Sequence, residues 1–119
     1  MTLPILDMTA WSILDFELAI DGVRQLRAAV TWLQNQPRAE RVTGRSCGTA
    51  FIAAIDEDWL AHRLSDMVER LEGIRFADPD DEDRRIRLLV MYYADYGPAG
   101  EPISDLLAMI EAQRQPLAA

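Results

Sequence analysis

The chain has no lysine, one cysteine and one histidine among its 119 residues. Each scarcity removes a class of chemistry. A single cysteine cannot form an internal disulfide, so a reducing compartment fits best. A single histidine cannot build the His-Glu-x-x-His metal site or a paired Glu-x-x-His site. Without lysine there is no Gly-x-x-x-x-Gly-Lys phosphate loop, so nucleotide hydrolysis is not indicated. Long apolar runs are also missing. The longest, Leu88 to Ala94, is seven residues, far short of a bilayer span. The first residues, Met-Thr-Leu-Pro-Ile-Leu-Asp, lack the basic flank of a signal peptide. A soluble cytoplasmic protein without a membrane partner is the expectation.

All twelve cations are arginine, and alanine is abundant, a usage that points to a GC-rich bacterial genome. Half the residues are hydrophobic and 27% are charged, too apolar for a disordered chain. At this length one domain over 1–119 is expected, burying roughly two-thirds of its unfolded surface without staples.

The net charge of −8 is unevenly distributed. Acids dominate 1–21, and arginines dominate 22–55 through Arg24, Arg27, Arg38, Arg41 and Arg45. Acids return strongly over 56–83, and 84–119 balance. Such asymmetry marks candidate interaction surfaces, although acidity also serves solubility.

The clearest local signal is Ala-Asp-Pro-Asp-Asp-Glu-Asp at 77–83. Asp78 is an N-cap type, Pro79 suits the first helical position, and the following acids face the positive end of the helix dipole. Gly97 and Pro98 close the pattern, predicting a helix over 79–96. Its apolar stripe is Ile86, Leu89, Val90, Tyr93 and Tyr96, widened by Leu88, Met91 and Tyr92.

Three further helices are predicted. Ile13, Phe16, Ile20, Val23, Leu26, Val30 and Leu33 recur at spacings of three and four, with Thr9 or Ser12 as cap and Pro37 as stop. Ile52, Ile55, Trp59, Leu60, Leu64, Met67, Leu71 and Ile74 form a second stripe from about 49 to 72, ended by Gly73. Ile103, Leu106, Leu107 and Ile110 form a fourth, starting near Pro102 or Ser104. The expected fold is therefore an all-α bundle of about four helices. The alternative is a small α/β domain. Leu14, Phe16, Leu18 and Ile20 alternate with Asp15, Glu17 and Ala19, so strands near 12–20 and 49–55 compete.

Several constellations resemble chemical sites. Gly44-Arg45-Ser46-Cys47-Gly48 fits the bare Gly-x-Ser-x-Gly pattern, but no strand series precedes it. His62 lies sixteen residues beyond Ser46, with no third triad member, so Ser46 and His62 are not expected to be catalytic partners. Cys47, beside Arg45 and ahead of a helix, is a candidate reactive thiol. Arg38, Arg41, Arg45, Ser46 and Thr49 form a candidate anion-binding loop over 38–49. Asp58, His62 and Asp66 share a helix face without a metal-site pattern, and 78–83 lacks the glycine and glutamate of a calcium loop. No metal or cofactor is expected.

No catalytic set survives this reading. The expected function is a non-enzymatic interaction or regulatory module, with an unidentified, basic protein partner or a second copy of itself. Asp66, Glu69, Glu72, Tyr92 and Tyr96 are its candidate binding residues. Anion or nucleic-acid binding through 38–49 is the alternative, with nucleic acid disfavoured. An enzyme or redox-sensitive protein using Cys47 is the second alternative.

Overall fold

The computed structural model describes residues 6–34, 47–96 and 103–117. Every regular element among them is helical, and no strand occurs among the described residues. Helix α1 is Ile13–Gln34. Helix α2 is continuous through three segments: an α segment at Cys47–Ala54, a π segment at Ile55–Leu60 and an α segment at Ala61–Glu72. Helix α3 is Pro79–Tyr96 and helix α4 is Ile103–Arg114. The competing strands at 12–20 and 49–55 are thus overturned. The i, i+3, i+4 recurrence prevails over the shorter alternation at 14–20, because it extends across Gly22 into a stripe that a strand could not share.

Local chemistry explains the ends. Ser12 caps α1: the Asp15 N–H donates to Ser12 Oγ at 3.2 Å, and the Ser12 N–H donates back to Asp15 Oδ2 at 2.8 Å. That is a reciprocal capping box. Thr9 instead bonds to Asp7 at the surface, its N–H and hydroxyl both donating to Asp7 Oδ1. Asp78 caps α3, accepting from the N–H groups of Asp80 at 2.8 Å and Asp81 at 3.2 Å. Gly73 closes α2, its N–H shared between the carbonyls of Glu69 and Arg70. The closing signal at Gly97 and Pro98 lies outside the described residues.

Removing the Asp78 cap leaves two N–H groups to water. Asp78→Ala is expected to cost about 1 kcal/mol. A urea titration checks this, with a lowered midpoint and an unchanged slope.

The chain divides into two compact units, Met1–Met67 and Val68–Ala119. In the first, α1 packs on the Cys47–Ala54 and Ile55–Leu60 segments. Ile13, Phe16, Ile20, Val30, Ala53, Leu64 and Met67 are its buried apolar residues. Trp11 meets Phe16 edge-on, with ring centroids 5.1 Å apart. Arg27 forks onto Asp56, Nε to Oδ1 at 2.8 Å and Nη2 to Oδ2 at 3.4 Å, tying α1 to the π segment.

In the second unit α3 packs on α4. Val68, Leu71, Leu88, Leu89 and Tyr93 are buried there, together with Arg85.

Several expected core positions are exposed instead. Leu26 and Leu33 of α1, Val90 of α3 and Leu107 of α4 face solvent, as does Trp59. Ile103's side chain lies outside the described residues. Trp59 lies in the π segment and is half-exposed, while Leu64, Met67 and Leu71 after it are interior. It stands five residues before Leu64, about 140° around a helix of 3.6 residues per turn, off the face that Leu64 and Leu71 bury. For α3 the true stripe is Arg85, Leu88, Leu89 and Tyr93, which turns Val90 outward.

Candidate interaction surface

The second unit is organised around a fully buried arginine. Arg85 uses all five of its N–H donors. Nε donates to Glu82 Oε1 at 2.7 Å and Nη2 to Glu82 Oε2 at 2.8 Å, a two-pronged bond one turn apart on α3. Nη1 donates to the Leu71 carbonyl and to Gln113 Oε1, each at 2.9 Å, and Nη2 also donates to the Gln113 carbonyl. One side chain thereby satisfies carbonyls in the last turns of both α2 and α4, where the helix itself leaves acceptors unpaired. Arg75 works alongside it. Its Nη1 donates to the carbonyls of Glu72 and Ile74, and its Nε to that of Gln115.

Glu82 also accepts from the Phe76 N–H at 3.1 Å. Burial raises its pKa. The hydrogen bonds from Arg85 and Phe76, with the charges of Arg85 and Arg75, outweigh that effect and hold the carboxyl below its ordinary value. A group depressed in the folded state contributes stability above its unfolded pKa and loses it as pH falls. Stability is therefore expected to fall below about pH 5. Glu82→Gln should start less stable and show a flatter acid limb in pH-dependent urea melts. An equally steep limb in the variant would remove Glu82 from the account.

Tyr93 connects this centre to the candidate binding residues. Its hydroxyl donates to Glu72 Oε2 at 2.8 Å. Burial, then the hydrogen bond and charge of Glu72, push the phenol above the ordinary tyrosine range. Tyr92 lies edge-on to Tyr93 at 6.0 Å and leans on Tyr96 at 5.2 Å. Glu72, Tyr92 and Tyr96 thus belong to one cluster, joined through Tyr93. Tyr92 and Tyr96 are half-buried. Glu69, one turn before Glu72, is exposed. Glu72 is therefore not a spare surface charge, since it holds a buried phenol in place.

The remaining candidates lie elsewhere. Asp66, in the first unit, is exposed and 3.8 Å from Arg63. His62 and Asp58 are exposed on α2. No group of three or more metal-ligating side chains occurs among the described residues. Arg38, Arg41, Arg45 and Ser46 lie outside the described residues. Cys47 and Thr49 fall in the first turn of α2, and their side chains also lie outside what is described.

Sequence reasoning missed Arg85 and Tyr93's bond to Glu72. A signal for Arg85 exists. It stands three and four residues before Leu88 and Leu89, on the apolar stripe, with Glu82 one turn before it. No helix among the described residues is long and apolar enough to cross a membrane. No protein-family model matches the chain, and no curated protein or solved structure does so either.

Proposed function

We propose that the protein is a small non-enzymatic interaction or regulatory module, a helical bundle of the bacterial cytoplasm, whose acidic tyrosine-bearing surface receives a basic protein partner. The observation that carries this reading is the cluster of Tyr92 and Tyr96 beside Tyr93, which is fixed by Glu72. Ring packing holds the two partly exposed rings in place, so little side-chain freedom is lost when a partner covers them. Glu69 adds an exposed negative charge one turn away on α2. Aromatic anchors with a charged surround are the usual composition of a binding hot spot, and the charge steers encounter.

The test uses affinity capture from native lysate, followed by binding measurements on the captured protein. Tyr92→Ala with Tyr96→Ala should weaken binding at least tenfold. Glu69→Gln should slow association and flatten its salt dependence, without altering the fold. Glu72 is left in place because its loss would unseat Tyr93. Equal binding by both variants across salt concentrations would refute this surface.

A further inference from the structure

Helix α1 carries a second apolar seam on the side opposite its buried one. The buried stripe runs through Ile13, Phe16, Ile20 and Val30. The outer positions 14, 18, 21, 25, 28 and 32 alternate in steps of four and three, the spacing of a coiled-coil seam. Leu14, Leu18 and Trp32 on it are 51%, 65% and 63% exposed, and Ala28 is exposed too. Leu26 and Leu33 are exposed as well, on a third side between the two stripes. The two central positions are polar. Asp21 and Gln25 are bonded to each other along the helix, Nε2 to Oδ2 at 2.7 Å. A helix apolar on opposite sides has one side left to cover.

We infer that the occupant of this seam is a second copy of the chain, paired antiparallel through α1 about a two-fold axis level with Val23. The order of residues selects that occupant and that direction. Positions summing to 46 face each other across such an axis. Leu14 meets the partner's Trp32, and Leu18 meets the partner's Ala28, a large side chain against a small one. Asp21 meets the partner's Gln25, a carboxylate against an amide that carries donors. Arg24 borders the seam and lies one residue, about 1.5 Å along the axis, off the level of the partner's Asp21. The parallel alternative sets Asp21 against the partner's Asp21, two like charges in a closing interface. The central polar pair therefore fixes both register and direction, as single polar seam positions do in coiled coils. This pairing uses α1 alone and does not rest on the tyrosine-cluster reading.

A seam of this length is small for an interface, so a dissociation constant on the order of 100 µM is expected. Sedimentation equilibrium from about 5 µM to about 1 mM should show the mass rising from 13.5 kDa toward twice that value. Leu18→Glu and, separately, Ala28→Glu should each weaken association at least tenfold with unchanged helical circular dichroism. Direction is read by oxidative cross-linking in a Cys47→Ser background. Leu18→Cys mixed with Ala28→Cys should form a covalent dimer, whereas each alone should not. The two positions are about 15 Å apart along one helix, beyond the reach of a disulfide within it. A monomer at the highest concentration overturns the inference. So does a dimer indifferent to both glutamates, or cross-linking of either single variant as efficient as that of the mixture.

Discussion

Replacing Arg85 by methionine is expected to destabilise the protein by about 3–5 kcal/mol. The side chain is fully buried, so its loss exposes nothing favourable and leaves several groups without partners. The carbonyls of Leu71 and Gln113 lose their donors, at about 1–3 kcal/mol for each that stays buried. Glu82 loses the two-pronged bond that offsets its desolvation. Because Glu82 is only part-buried, water can recover some of that loss, which places the expected cost at the lower end. Arg85→Lys should recover little. An ammonium has three donors on one atom and cannot reach a carboxylate, two carbonyls and an amide oxygen at once. Urea midpoints for the two variants and their parent measure the difference. A loss under about 1 kcal/mol for the methionine variant would show that the buried network is not what holds the second unit together.

Phe16→Ala is the second large effect, expected at about 3–5 kcal/mol. Phe16 has no exposed surface, and its ring packs edge-on against Trp11. Truncation removes the transfer free energy of the ring and leaves a cavity between α1 and its neighbours. It also ends the ring–ring contact, worth roughly 0.5–1.5 kcal/mol beyond area. Phe16→Leu should cost markedly less, because most of the volume stays filled. The thermal midpoints of the two variants separate cavity from contact. Equal losses would mean that the aromatic geometry, not the volume, is what matters.

Where elements begin and end was readable because the determinants are local. Ser12, Asp78, Pro79 and Gly73 act within one turn of themselves, and the structure uses each as the sequence implies, while the reciprocal bond from Ser12 to Asp15 went unread. Helix identity followed from spacing in the same way. Which apolar positions are covered was not readable for Leu26, Leu33, Val90 and Leu107. Periodicity reports that a face is apolar, and only packing decides whether something lies on it. Trp59 escaped for a different reason: grouped with Leu60 and Leu64 by loose spacing, it stands about 140° from Leu64 around the helix. Arg85 escaped because residue type alone places arginine outside, and its burial depends on acceptors 14 and 28 residues away. The bond from Tyr93 to Glu72 crosses 21 residues and is equally invisible to local reasoning. The candidate surface was thus legible as residue types and not as an arrangement.

The Arg85 network also makes the last helix a working part of the one before it. Two of its five acceptors belong to Gln113, in the last turn of α4. A chain ended before Gln113 keeps the Asp78 cap and the Glu82 pair, but two guanidinium N–H groups lose their folded-state acceptors and are left to water. Loss of the end of α4 is therefore felt at the centre of the second unit, and the helix with the strongest local signals depends on the one that follows it.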